Sequence, residues 1–293
     1  MPFRNTTASE AALKLKITHD DLPTIFQEVI RVTYLLGIRY IWADALCIVQ
    51  DSKDDWERES HKMFAIYRNA YVTISALDSV SVRDSMFSRR SVTVESESSG
   101  ALPRAVVVSQ FIGHRQLSDL DEGMLARHPL FRRAWSYQER LLSTRILHCA
   151  KEEWIFECCT FTNCECGSKR DRQYGSHPLA SIDDLDENFW WKIVSGFSRR
   201  ALTYATDSLP AMASLAIYLQ SRKDHAGRCV AGLWRDRIPE GLVWYLEKPV
   251  DERPKEYIAP TWSWASLRPA KTDLSACTGR WLRTADTFSR VFS

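Results

Sequence analysis

Two acidic side chains stand where chemistry could be done. Asp44 ends the stretch Gly37-Ile38-Arg39-Tyr40-Ile41-Trp42-Ala43-Asp44. Arg39 to Ala43 is rich in aromatic and β-branched residues and follows a glycine, the pattern of a buried strand. An acid at the carboxyl end of such a strand lies where open α/β sheets present functional groups, and it could bind a ribose hydroxyl. It can equally cap the following loop by accepting backbone hydrogen bonds. Glu139 closes a second stretch, Arg133-Ala134-Trp135-Ser136-Tyr137-Gln138-Glu139. Trp135 and Glu139 are four residues apart, so on a helix they share a face. The expectation is that Asp44, Trp135 and Glu139 face one cleft.

Other chemistries are poorly supported. Cys158, Cys159, Cys164 and Cys166 cluster with His148 and His177 nearby. Paired Cys-x-x-Cys spacing is absent, however, and adjacent cysteines on a strand point to opposite faces, so no metal site is expected. Cys47 has no flanking histidine and reads as a buried thiol. No Gly-x-Ser-x-Gly elbow and no glycine-rich phosphate loop occur.

The elements that must position the acids follow from hydrophobic spacing. Residues 1–12 read as a disordered tail, and Leu13 to Ile17 alternates like a weak strand. Asp20-Asp21-Leu22-Pro23 starts a helix. Leu22, Ile25, Phe26, Val29, Thr33 and Leu36 form its inner face, and Gly37 stops it. After the Asp44 strand, Ser52 caps a second helix running to Asn69. Tyr71 to Ala76 is a strand, so the order helix, strand, helix, strand argues for a parallel sheet. Leu77 to Gly100 is a polar surface insertion, and Arg104 to Phe111 is strand-like. Pro129 opens the helix that carries Glu139. Ile146 to Ala150 and Trp154 to Cys158 form a hairpin, and Cys164 to His177 is a loop. The second half is mostly helical, with a short strand at Val230 to Trp234 and a half-exposed strand at Pro260 to Ser266.

Composition bounds the function. The chain has 293 residues with 45% hydrophobic and 26% charged residues and a net charge of +2. That balance lacks the basic footprint of a nucleic-acid binder. Eleven Trp require a substantial core. There is no apolar run long enough for a membrane span, and the N-terminus lacks the apolar segment of a secretory signal. A cytoplasmic protein is expected, with its eight Cys as free thiols.

Several stretches together resemble the fungal heterokaryon incompatibility (HET) domain family. They are Leu22-Pro23, Leu36-Gly37-Ile38, Trp42 to Asp51, Met63 with Ile66-Tyr67-Arg68-Asn69-Ala70, Ile74-Ser75-Ala76, and Arg133 to Arg145. Tyr204 to Pro210, Ala231-Gly232-Leu233-Trp234 and Ala259 to Ser266 resemble what often follows that domain. The family is implicated in nonself recognition and programmed cell death when incompatible strains fuse, and it is distantly similar to the TIR domain. The resemblance implies an α/β, flavodoxin-like (TIR-like) parallel sheet over residues 13–150. An α+β C-terminal region, residues 151–293, would pack on it. The family opens with a Ser-Tyr-x-Trp-Gly strand, and none precedes Leu22, so the sheet is expected to lack its first strand.

Some TIR domains hydrolyse NAD with a Glu in a Trp-Cys-x-x-Glu helix. Trp135-Ser136-Tyr137-Gln138-Glu139 keeps the Trp-to-Glu spacing, with Ser136 in place of Cys. The resemblance therefore implies Glu139 as the catalytic residue; Asp44, at its strand end, and Trp135, one helical turn before Glu139, would bind the substrate. NAD would be the substrate and no cofactor would be required. Breaking the nicotinamide–ribose bond leaves oxocarbenium character that a carboxylate can stabilise or trap. The alternatives are that Glu139 pairs with Arg132, Arg133 or Arg145 and Trp135 is core, and that the domain is a non-enzymatic module. Such a module would oligomerise with itself or with a partner incompatibility protein to recruit cell-death factors.

Overall fold

A computed structural model describes residues 3–87, 91–95, 105–109, 125, 127–151, 153–165, 170–171, 187–222, 227–244 and 254–267. The expectations for Cys166 and His177, and most of the 77–100 insertion beyond Phe87, lie outside the described residues.

The first half begins with a short helix α1 (Glu10–Leu15), then α2 (Thr24–Leu35), one-turn α3 (Asp44–Cys47), α4 (Lys53–Ser60) and α5 (Met63–Asn69). Gly37 ends α2 at φ +70°, a conformation that favours glycine. Ser52 caps α4 by accepting the Asp55 N–H at 3.3 Å. The N-terminal residues are not a loose tail. Asn5 donates its N–H to the Ala45 carbonyl and accepts from the Gln50 N–H. Thr7 holds Asp51 through both its N–H and its hydroxyl. These bonds to the Asp44–Asp51 turn order the segment, and α1 replaces the expected strand at Leu13 to Ile17.

The strands are β1 (Thr73–Ser75), β2 (Ser91–Glu95), β3 (Ala105–Ser109), β4 (Arg145–Cys149), β5 (Trp154–Cys158), β6 (Thr162–Cys164) and β7 (Arg170–Asp171). One five-stranded sheet runs β1-β4-β5-β6-β7. Only β1 and β4 are parallel, with Thr73 opposite Ile146. The later pairs are antiparallel. The class is mixed α/β, and the expected all-parallel sheet is corrected. The chain leaves β4 through a tight hairpin instead of a helical crossover, and a hairpin can only return antiparallel. β2 and β3 form a separate antiparallel pair.

A second correction concerns Arg39 to Ala43. The segment lies outside the sheet, with Tyr40 81% and Ile41 40% exposed. Its residues favour extended backbone, but no described strand lies beside it to complete a ladder.

α6 (Ala134–Leu142) carries Glu139, and α7 (Glu187–Ser198) and α8 (Pro210–Arg222) pack around it. One core joins Tyr137, Leu141 and Leu142 of α6 to Val194 and Phe197 of α7, Met212 and Leu215 of α8, and Trp264. Burying each such side chain contributes roughly 1.5–3 kcal/mol. α6 and α7 approach so closely that a Cβ at Gly196 would sit inside the Tyr137 hydroxyl. β8 (Cys229–Val230) and β9 (Leu233–Trp234) form a hairpin, followed by α9 (Ile238–Gly241). Pro260 to Ser266 is not a strand. Trp264 begins a one-turn 3₁₀ helix and is fully buried, whereas Trp262 remains 37% exposed. The Trp190 and Trp264 indoles both donate to the Gly232 carbonyl, and this fixes the turn. No described helix is long and apolar enough to cross a membrane.

Candidate functional site

The loop carrying Asp44 and the helix carrying Glu139 meet at a cavity of about 610 Å³, which both residues line. Its other walls come from α2, α5, the 38–43 segment and β1. That volume suits a small-molecule site.

Glu139 is placed by the last turn of α6. Ser143 ends the helix, with both its N–H and its hydroxyl donating to the Glu139 carbonyl. The same hydroxyl lies 2.6 Å from that of Thr73. Helix end and sheet edge are therefore tied, and Glu139 is half-buried against β1. Its carboxyl is pushed up to about 7, first by burial and then by the neighbouring charge of Asp44. Arg133 and a hydrogen bond from Tyr67 pull the other way. Glu139 makes no ion pair with a described arginine. Arg132 donates to the Leu125 carbonyl and Arg145 to the Tyr71 carbonyl.

Asp44 is exposed at the start of α3, and its Oδ1 accepts the Ala45 N–H at 2.8 Å. It thus caps its own turn while lining the cavity. Gln50 braces the turn by donating to the Asp44 and Ile48 carbonyls. The two carboxylates sit in unlike surroundings: one is hydrated and capped, the other crowded by protein. That asymmetry is how a fold separates the roles of two acids.

Tyr67 was not singled out by the sequence as a site residue. Its position on the stripe with Met63 reads as core. The structure instead puts its phenol on Glu139, and burial and the acids Glu139 and Asp44 raise its pKa well above the usual range. It remains a neutral donor. Trp42 packs edge-on against it, with ring centroids 5.7 Å apart. The signal that could have found Tyr67 is its place in Ile66-Tyr67-Arg68-Asn69-Ala70, one of the stretches that carry the family resemblance.

Trp135 does not line this cavity. Its indole donates to Asp207 at 3.2 Å and meets Trp56 edge-on, centroids 6.1 Å apart. It bridges α4, α6 and the 3₁₀ turn at Ala205–Ser208. Asp44 and Glu139 are brought together, and Trp135 stands apart from them.

Behind Glu139 lies a buried charge cluster. Arg140 holds Glu157 through two hydrogen bonds of 2.9 and 2.7 Å. His148 Nε2 lies 2.8 Å from the same carboxylate. Arg140 and the histidine hold the Glu157 carboxyl well below the usual range despite burial, whereas burial lowers the His148 pKa. A neutral His148 therefore donates from Nε2 to the carboxylate. This cluster anchors α6 to β4 and β5. Among the described residues no group of His, Cys, Asp and Glu could hold a metal ion.

The fold thus defines a mixed α/β domain with two acids and a half-buried tyrosine at a cavity beside the sheet edge. Residues 2–139 match the model of the heterokaryon incompatibility protein (HET) family. No curated protein and no solved structure matches the chain.

Proposed function

We propose that this protein acts in fungal heterokaryon incompatibility, as a domain that cleaves the nicotinamide–ribose bond of NAD at the cavity shared by Asp44 and Glu139. The observation that carries the reading is Glu139 itself: a carboxyl raised to about 7 beside a second acid at a ligand-sized cavity. Groups with strongly shifted pKa values in clefts are functional candidates. In this reading Glu139, once ionised, faces the ribose carbon as nicotinamide departs and stabilises or traps the developing positive charge; water then bonds to that carbon, losing a proton to solvent, and ADP-ribose leaves. Nicotinamide leaves as a neutral pyridine, so bond cleavage requires no acid. Asp44 binds the ribose hydroxyls, and Tyr67 holds the Glu139 carboxylate in position. NAD loss would be the step that links recognition to cell death.

The experiment is to measure nicotinamide release from NAD by the purified chain and by Glu139→Gln. The reading expects release that the substitution abolishes. A second reading, an interaction module without catalysis, draws on the exposed apolar residues Leu36, Tyr40, Ile41 and Tyr71 that line the cavity.

A further inference from the structure

Behind Glu139 lies a second, smaller cavity. It measures about 40 Å³ and sits between α6 and the sheet. Ser136, Glu139 and Arg140 line it from the helix, and Ser75 of β1 and His148 of β4 line it from the strands. Glu139 therefore borders both the outer cavity and this inner one. A buried water needs roughly 10–15 Å³ of such space and two to four polar partners. The inner cavity has the room.

It also has the partners. His148 is 1% exposed. Its Nε2 donates to Glu157, which leaves Nδ1 as a bare lone pair. Nδ1 has no hydrogen-bond partner among the described residues. The ring is clamped in this orientation. Phe131 packs edge-on against it with centroids 5.8 Å apart, and Arg140 holds Glu157 from the other side. Ser75 adds a hydroxyl that can both donate and accept. Buried polar atoms that no protein group reaches are satisfied by ordered water.

We propose that the inner cavity binds a water that donates one hydrogen to His148 Nδ1 and the other to the Glu139 carboxylate, making His148 a positioning residue for Glu139. The water oxygen accepts from the Ser75 hydroxyl. Glu139 is then held by Tyr67 on one side and by the water on the other. A hydrogen bond to the carboxylate favours its charged form, so loss of the water should raise the Glu139 midpoint. The consequence for catalysis rests on the proposed cleavage of NAD; the water site itself does not.

The test compares the wild-type chain with three variants. His148→Gln keeps an amide N–H where Nε2 meets Glu157 but has no acceptor at the Nδ1 position. His148→Asn does the reverse. Ser75→Val leaves the His148–Glu157–Arg140 cluster intact and fills the cavity with methyl groups. The other groups acting on the pair are Asp44, Arg133 and Tyr67 at Glu139, and Glu157, Arg140 and His128 at His148. None of them is changed in any variant. Carboxyl-carbon NMR reads the Glu139 midpoint, and water–protein cross-relaxation reads a long-lived water at the site. The midpoint should rise by about half a pH unit or more in His148→Gln and Ser75→Val, with loss of the water signal. His148→Asn should keep both near wild type. If wild type releases nicotinamide, His148→Gln and Ser75→Val should lower kcat about threefold or more at unchanged KM, even at a pH where Glu139 is fully ionised. The inference is overturned by the absence of a long-lived water in wild type, or by an unmoved midpoint in Ser75→Val. It is equally overturned if His148→Asn shifts the midpoint as far as His148→Gln, because the bond to Glu157 would then be the cause. Should the His148 variants fail to fold, Ser75→Val decides alone. A wild-type chain that releases no nicotinamide would sink the catalytic reading and leave the midpoint and water readouts standing.

Discussion

Replacing Glu139 by Gln removes a strained ionisation without changing the shape of the side chain, and its effect on stability should depend on pH. The folded chain raises this carboxyl from 4.5 to about 7. A carboxyl that binds its proton more tightly when folded contributes its full stability below the unfolded pKa and loses it as the pH climbs through the folded one. At about 1.4 kcal/mol per pH unit, ionising Glu139 costs the folded wild-type chain about 3 kcal/mol by pH 8 but less than about 1 kcal/mol at pH 5. Gln cannot ionise and escapes the cost, while its amide can still accept from Tyr67. The stability of Glu139→Gln relative to wild type should therefore improve by about 2.5 kcal/mol between pH 5 and pH 8. Urea denaturation of both proteins at the two pH values measures this directly. Groups such as Glu157 change with pH in both proteins and cancel in the difference. A difference that stays constant across the range would refute the crowded, acid-flanked environment assigned to Glu139.

Other expectations follow from the same contacts. Asp44→Asn removes the charge that helps raise Glu139, so the Glu139 midpoint, read by carboxyl carbon NMR, should fall below about 7; an unmoved midpoint would leave burial as its sole cause. Arg140→Ala strips the buried Glu157 of its two-pronged partner and should cost about 3–5 kcal/mol in denaturant melts. A loss below about 1 kcal/mol, the range of a surface ion pair, would show that the cluster does not anchor α6. At Gly232, φ is +86° and a Cβ would lie 2.5 Å from the Trp264 indole nitrogen. Gly232→Ala should therefore cost more than the ~1 kcal/mol typical of backbone strain, and an unchanged melting temperature would contradict that packing.

Much of this was legible where local pattern and tertiary environment agree. The α2 helix and its Gly37 stop, the cap at Ser52 and the β4–β5 hairpin are local signals. The approach of Asp44 to Glu139 was expected from a sheet strand that the structure does not form, and the two acids meet at the cavity through the turn at Asp44 instead. The Arg39 to Ala43 segment was misread because composition specifies extended backbone but not the neighbour that turns it into a sheet strand. The parallel sheet was over-extended because one helix–strand alternation cannot reveal that the chain then turns back by hairpins. Trp135 shares a helix face with Glu139 by spacing, yet Asp207, far along the chain, draws its indole elsewhere. The Arg140–Glu157–His148 cluster had no local signature, since three separated residues become one network only once β4 and β5 pair beneath α6.

The central claim is that Glu139, beside Asp44, cleaves the nicotinamide–ribose bond. Its most direct test is nicotinamide release from NAD by the purified chain as a function of pH, with Glu139→Gln as control. The account predicts release that rises as Glu139 ionises through about pH 7 and disappears in the variant. Release by Glu139→Gln at the wild-type rate, or none from a folded wild-type chain at any pH, would contradict it.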